Sequence, residues 1–129
     1  MIVDTSAIVA IWQREPGWEA IDYLLKDDPS PTMSAATLVE LYAVLDSRDS
    51  PENQRRLDTL LTGYGIVIVP FDHEQALIAR AAYRDFGKGS GHRAHLNLGD
   101  CFSYALASAK HQPLLHVGDD FKYTDLPSI

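Results

Sequence analysis

The sequence alternates short strand-like runs with longer amphipathic stretches, and this alternation restricts the fold more than any other feature. The short runs are residues 1–3, 66–69 and 114–117, and residues 30–33 are a link or a further strand. Apolar side chains recur at helical spacing in the stretches between these runs. Strands that alternate with helices pack as a parallel sheet with helices on its faces. We therefore predict an α/β fold, a three-layer α/β/α sandwich with a mostly parallel sheet of about four or five strands, formed by residues 1–129 as a single domain.

Local signals indicate where several elements begin and end. The run at residues 66–69 is wholly β-branched, which is typical of a strand buried on both faces. Ser34 is expected to cap a helix over about residues 35–46, and a polar turn at residues 47–50 ends that helix. Asp100 lies in the first turn of another predicted helix, where the helix dipole favours a carboxylate. Asp100 therefore has a structural reason to occupy its position, whatever else it does.

The composition argues against a membrane protein and against a disulfide-stabilised secreted domain. Hydrophobic residues make up 46% of the chain and charged residues 22%, as in ordinary globular proteins. No apolar run approaches the ~20 residues that cross a bilayer, and no basic segment followed by an apolar core marks a signal peptide. The single cysteine, Cys101, has no partner for an internal disulfide and is expected to be a small buried apolar residue. These features predict a cytoplasmic protein.

The charge of the chain is acidic overall but locally basic. Eleven basic residues against 18 acidic ones give a net charge of −7, which argues against a non-specific nucleic-acid binder. Residues 80–99, however, contain four arginines and lysines and only one acid, Asp85. Within that segment Lys88, His92 and Arg93 lie among glycines and are expected to contact an anionic substrate. Two other interpretations stay open, namely that these residues only solvate the segment or that they recognise a protein partner.

Carboxylates occur at four places where the predicted fold would bring them together. Asp4 follows the first strand, Glu40 lies within a helix, Asp100 begins a helix, and Asp119 and Asp120 follow the last strand. Each has an ordinary alternative role, as a helix cap or as a solvated surface acid. Together they are the all-oxygen ligands that hard cations require. Clustered carboxylates repel one another unless a cation neutralises them, so a metal site for phosphodiester chemistry is the joint interpretation.

Sequence motifs that span nearly the whole chain accompany these acids. They are the opening residues 1–6, the stretch 34–40, the segment 83–89, the block 92–104 and the closing stretch 112–125. In these motifs the chain resembles a PIN-domain ribonuclease, and most closely the VapC toxins of bacterial toxin–antitoxin pairs. The opening motif and the second half of the block are the most specific parts of this resemblance.

The resemblance implies a magnesium-dependent endoribonuclease, with Mn²⁺ as a substitute for Mg²⁺. Asp4 and Asp100 would bind the metal most directly, while Glu40 and a fourth acid would complete the shell and orient the attacking water. The fourth acid is expected to be Asp119, with Asp120 as the alternate. Ser6 resembles the hydroxyl residue that supports such a cluster, and Lys88, His92 and Arg93 would meet the RNA backbone.

The resemblance also implies partners for the chain. These are an RNA substrate, a VapB-like antitoxin that holds the nuclease in check, and a second copy of the chain in a homodimer, with no membrane involved. Aromatic residues are common in interface cores. The candidates in this chain are Trp12, Trp18 and Tyr42.

Two alternatives belong to other functional classes. A phosphoryl-transfer enzyme of the haloacid dehalogenase type also begins with an aspartate at a strand end, but it needs a second aspartate at position 6, where this chain has serine. A catalytically silent PIN fold that only binds RNA or protein would require a lost carboxylate, and none is lost. Titration with Mg²⁺ or Mn²⁺ separates a catalytic site from a pure interaction module.

Overall fold

The computed structural model describes residues 1–46 and 50–127, and it contains the predicted alternation of strands and helices. The strands are β1 (Ile2–Val3), β2 (Thr32–Ser34), β3 (Val67–Val69) and β4 (Leu114–Leu115). The helices are α1 (Thr5–Trp12), α2 (Trp18–Asp27), α3 (Ala35–Asp46), α4 (Pro51–Gly63), α5 (His73–Phe86) and α6 (Leu98–Lys110). Residues 47–49 of the predicted polar turn lie outside the described ranges. No helix within those ranges combines the length and apolar character needed to span a lipid bilayer.

Within the described residues the sheet has four strands in the order β3-β2-β1-β4, and every pair is parallel. The predicted α/β fold with a parallel sheet is therefore confirmed. β1 lies inside the sheet, where Ile2 pairs with Thr32 of β2 and with Leu114 of β4. Because the strands run in the same direction, their carboxyl ends share one edge of the sheet. α1 and α3 begin directly beyond β1 and β2, so the residues at both junctions lie at this edge.

Helices cover both faces of the sheet and give the molecule two apolar cores. Successive residues of a strand point to opposite faces. Ile2 accordingly packs into a core with residues of α5 and α6, whereas Val3 packs into a second core with residues of α1, α2, α3 and α4. Leu114 and Leu115 of β4 divide between the two cores in the same way. The three-layer arrangement follows from this alternation.

The prediction that residues 66–69 form a strand buried on both faces is wrong. β3 lies at the edge of the sheet and pairs only with β2. Val67 and Ile68 remain 45% and 40% exposed. A continuous β-branched run is therefore compatible with an edge position, because β-branched side chains also fit a pleated surface that is only half covered.

The expectations for Ser34 and Cys101 are confirmed. Ser34 Oγ accepts a 3.1 Å hydrogen bond from the backbone N of Ala36 and so caps α3. Cys101 is fully buried in α6. Burial, together with the nearby charge of Asp100, raises the pKa of its thiol to about 12, so Cys101 stays a neutral, apolar-like side chain at physiological pH.

Candidate active site

Asp4 lies at the carboxyl end of β1 and caps α1. Its Oδ2 accepts hydrogen bonds from the backbone N and from the Oγ of Ser6, at 3.1 and 2.7 Å. Its Oδ1 accepts a 2.6 Å hydrogen bond from Ser103 Oγ on α6. Ser6 Oγ in turn accepts a 2.9 Å hydrogen bond from the backbone N of Val117, just beyond β4. Asp4 is only 3% exposed, so these donors hold a buried carboxylate in one orientation, and its capping role coexists with a place in the site.

Glu40 extends from α3 to the N-terminus of α6. Its Oε1 accepts a 2.6 Å hydrogen bond from Thr5 Oγ1. Its other oxygen, Oε2, lies against Gly99, where a Cβ atom would overlap the carboxylate. Burial raises the pKa of Glu40; the hydrogen bond from Thr5 opposes this rise and the charge of Asp4 adds to it. Glu40 is thus a packed acid at the sheet edge, not a solvated residue on a helix surface.

Asp100 occupies the third position of α6 and forms a capping box with Asn97. Asp100 Oδ2 accepts a 3.0 Å hydrogen bond from the backbone N of Asn97, and Asn97 Oδ1 accepts a 2.8 Å bond from the backbone N of Asp100. Burial raises the pKa of Asp100 to about 7, and the charges of Asp4 and Asp120 contribute to this rise against the lowering effect of the Asn97 hydrogen bond. Asp100 therefore has two carboxylate neighbours within electrostatic range.

The structure distinguishes the two aspartates that follow β4. The Asp120 side chain lies within hydrogen-bonding reach of Asp100. Asp119 instead lines a separate pocket of about 280 Å³, together with Ile21 and Lys122 among other residues. The preference for Asp119 as the fourth acid therefore finds no support in the geometry, which brings the alternate, Asp120, to the other acids. Neighbouring residues in a turn point in different directions, and sequence alone does not say which one faces inwards.

Asp4, Glu40, Asp100 and Asp120, here called the acid cluster, offer only oxygen donors, as hard divalent cations require. Their mutual repulsion would be offset by a cation. In the described part of the chain, however, no three His, Cys, Asp or Glu side chains are already arranged as a preformed metal site. The hydrogen bonds explain this arrangement, since three of the four carboxylates are directed towards protein donors. The donor chemistry thus fits a hard cation, while the side chains are arranged as hydrogen-bond acceptors.

Three residues that contribute to the site were not anticipated. Thr5 and Ser103 are the hydroxyl donors that hold Glu40 and Asp4, and Gly99 leaves the space that the Glu40 carboxylate fills. Ser103 also lies 3.2 Å from Thr37 Oγ1, within hydrogen-bonding distance. Its position three residues after Asp100 on one helix was a signal that could have revealed it, because residues at that spacing share a helix face.

The predicted basic residues occupy a loop whose ends are joined. Lys88 N donates a 2.9 Å hydrogen bond to Leu96 O, and Lys88 is exposed. The half-buried His92 has an intramolecular role, because its Nδ1 accepts a 3.1 Å bond from Ala94 N and its ring packs edge-on against Phe86. Arg93, which is also exposed, places its guanidinium over the ring of Tyr123, and this contact joins the loop to the C-terminal segment.

Comparison with known proteins gives consistent matches over the whole length. The PIN domain family matches residues 1–126. Ribonuclease VapC42 of Mycobacterium tuberculosis is 52% identical over 126 residues, which cover 98% of this chain and 96% of that protein. Ribonuclease VapC of Mycolicibacterium smegmatis is 46% identical over 129 residues, covering 100% of this chain and 99% of that protein. A crystal structure of VapBC2 from Rickettsia felis, bound to a promoter DNA fragment, has the same fold, with a TM-score of 0.75 at 20% identity, covering 99% of this chain and 96% of that chain.

Proposed function

Because this chain belongs to the PIN-domain family, and within it to the VapC ribonucleases, we propose that it is a toxin that cleaves RNA phosphodiester bonds with the help of a divalent metal ion. The observation that supports the metal-dependent site best is the meeting of carboxylates from β1, α3 and α6 at one edge of the sheet. The charge of Asp4 raises the pKa of both Glu40 and Asp100, so Asp4 lies within electrostatic range of the other two acids. Buried like charges are costly, and a cation site gives them a physical reason to be together.

Mg²⁺ is the ion that this donor set suits, with Mn²⁺ as a substitute. Asp4 and Asp100 would hold it most directly, and Glu40 and Asp120 would complete its shell. The bound ion would supply Lewis-acid activation of a water molecule and would stabilise negative charge on the scissile phosphate. Since the Asp100 carboxyl has a pKa of about 7, binding of the ion would also be favoured as the pH rises and the proton leaves.

Hydroxyl groups determine the orientation of the acids in this proposal. Ser6 and Ser103 hold the two oxygens of Asp4 with bonds of 2.7 and 2.6 Å. Thr5 holds Oε1 of Glu40 with a bond of 2.6 Å. The pKa of Glu40 is raised, which makes this carboxylate a better acceptor for the proton of an attacking water than an ordinary surface glutamate.

Asp4→Asn tests the proposed function, because it removes one charge and changes the side-chain volume little. Purified protein with Mg²⁺ should cleave RNA, and Asp4→Asn should lose this activity and most of the Mg²⁺ affinity while it folds normally. Asp27→Asn is the matched control, since Asp27 is exposed on α2 away from the acid cluster. Wild-type cleavage by Asp4→Asn at the same metal concentration would refute the assignment. Normal metal binding without any cleavage of total RNA by the wild type would favour a silent binding module.

The identity of the fourth acid has its own test in two neighbouring residues. Asp120→Asn should impair cleavage, because Asp120 lies beside Asp100. Asp119→Asn removes the same charge from the adjacent position and should leave cleavage close to the wild-type rate, because Asp119 lines a different pocket. The opposite ranking of the two variants would restore Asp119 as the fourth acid.

The partners follow from the same family. The Rickettsia felis structure contains a VapBC2 pair, and we propose that a VapB-like antitoxin binds and inhibits this chain in the cytoplasm. The homodimer stays a prediction. Trp12, Trp18 and Tyr42, the expected interface aromatics, are partly buried against the core formed by α1 to α4. More exposed apolar side chains lie elsewhere, with Val39 and Tyr23 each 67% exposed and Leu98 59% exposed.

A further inference from the structure

The C-terminal segment runs alongside α6, from the acid cluster towards the far end of that helix. Asp120 contacts Asp100 in the first turn of α6. One turn later, Tyr104 Oη donates a 2.5 Å hydrogen bond to Asp125 Oδ1. Tyr123 lies between these two contacts, and it is partly buried against the core of α5 and α6. Four residues of helix rise by about 6 Å, so the segment that carries Tyr123 joins two points of α6 about one helical turn apart.

Two cations converge on the ring of Tyr123. The Arg93 guanidinium carbon lies 4.2 Å from the ring centroid, and Lys122 Nζ lies 5.5 Å from it. Both cations are exposed. Within residues 1–46 and 50–127, neither has a carboxylate within salt-bridge distance. Although the chain has a net charge of −7, the positive charges of Arg93 and Lys122 are therefore not neutralised by salt bridges.

We propose that Arg93 and Lys122, brought together by the ring of Tyr123, form a phosphate fork that holds a backbone phosphate of single-stranded RNA next to the one being cleaved. This inference rests on the proposed ribonuclease function. Like charges repel, and the negative face of an aromatic ring offsets part of that repulsion. Tyr123 is therefore a positioning residue, whereas the two cations contact the substrate.

The location of the fork favours a nucleic-acid backbone as its occupant. An RNA strand that enters the acid cluster meets carboxylates that repel its phosphates, and nearby cations lower this repulsion. Tyr123 lies only three residues along the chain from Asp120, which contacts Asp100, so one strand can reach both places. Both cations also bind phosphate well. The Arg93 guanidinium is a planar hydrogen-bond donor for phosphate oxygens, and the Lys122 ammonium attracts them as a point charge.

Salt titration of RNA binding tests the fork directly. The probe is a fluorescein-labelled single-stranded oligouridylate, measured by anisotropy at fixed Mg²⁺ in the cleavage-deficient Asp4→Asn background, between about 50 and 200 mM salt. Arg93→Ala with Lys122→Ala should weaken binding and flatten the plot of log affinity against log salt by about 0.7, the value for one lost phosphate contact. Arg55→Ala with Lys110→Ala is the matched control, because it removes one arginine and one lysine from other exposed surface. Equal slopes for the two double variants would overturn the fork.

Substitutions of Tyr123 test the role of the ring. Tyr123→Phe keeps the aromatic face and should bind and cleave RNA as the wild type does. Tyr123→Leu keeps apolar bulk but removes the ring face, and it should raise KM for RNA about two- to five-fold with kcat unchanged. Equal behaviour of the two variants would overturn the positioning role. Full RNA binding combined with lost inhibition by the antitoxin would reassign Arg93 and Lys122 to partner recognition.

The two proposals fail in different ways. If Asp4→Asn cleaves RNA at the wild-type rate, the proposed catalytic function is refuted, whatever the result for the fork. An inactive Asp4→Asn, together with an unchanged salt slope in the Arg93 and Lys122 double variant, would remove the fork alone.

Discussion

Gly99 provides a sharp test of the site, because the structure makes one added carbon atom incompatible with the Glu40 carboxylate. Gly99→Ala places a Cβ where Glu40 Oε2 lies. The backbone of α6 is fixed by its capping box and by packing on both sides, so the flexible Glu40 side chain is what moves. Its movement breaks the 2.6 Å hydrogen bond from Thr5. The expected result is a cleavage rate at least about 100-fold below that of the wild type, the same as for Glu40→Gln.

The stability of this variant should change little, and this distinguishes displacement of an acid from general misfolding. Alanine stabilises a helix by about 0.5–1 kcal/mol relative to glycine. Loss of a hydrogen bond to a charged acceptor costs about 1.5–3 kcal/mol. Because Glu40 becomes better solvated as it moves, part of that cost is recovered, since burial is what raises its pKa. We expect a net destabilisation below about 2 kcal/mol, or a Tm lowered by at most about 8 °C in a domain of this size.

Cleavage of a labelled RNA and thermal melting of the same preparations are the assays. Gly63→Ala is the control, because Gly63 ends α4 with no atom near the position of an added Cβ, and it should be fully active. The double variant with Gly99→Ala and Glu40→Gln should be no less active than either single variant, because both remove the same function. If Gly99→Ala cleaves RNA at the wild-type rate, cleavage does not depend on the observed position of the Glu40 carboxylate. If the activity losses of the two single variants add in the double variant, Gly99 does not act through Glu40.

The remaining predictions concern pH, metal and assembly. The pKa of Asp100 is about 7 in the folded protein, above its unfolded value. Without metal, the free energy of unfolding should therefore rise as the pH falls from about 7 to about 4. Thermal melts at several pH values measure this dependence, and Asp100→Asn should flatten it. Mg²⁺ or Mn²⁺ should raise the Tm, because an ion that binds only the folded state adds about 2.7 kcal/mol to the free energy of unfolding when its concentration is 100 times its Kd. The rise in Tm should be smaller in Asp100→Asn. A wild-type Tm that does not change in millimolar Mg²⁺ would contradict a functional metal site. Sedimentation at micromolar concentration should show a dimer, and a monomer with and without antitoxin would reject self-association.

Local sequence signals were enough to predict the architecture and the elements on which Asp4, Glu40 and Asp100 lie. Asp4 follows a strand and precedes hydroxyl residues, Asp100 forms a capping box with its own neighbour, and Glu40 lies on a helix that directly follows β2. These features arise from residues a few positions apart, so they can be read from the chain. A parallel sheet then brings the ends of its strands to one edge, whatever the details of packing. The family resemblance adds the activity and the partners, which the pattern of strands and helices does not contain.

Other features depend on contacts between distant parts of the chain. Asp120 rather than Asp119 faces Asp100 because the tail is fixed by burial of Phe121 and by the turn in which Lys122 N bonds to Asp119 O. The exposure of β3 follows from strand order, which a continuous apolar run does not specify. The space that Gly99 leaves for Glu40 and the contact of Arg93 with Tyr123 likewise join residues tens of positions apart. Such contacts are decided by how helices and tail pack together, and only the tertiary structure contains that information.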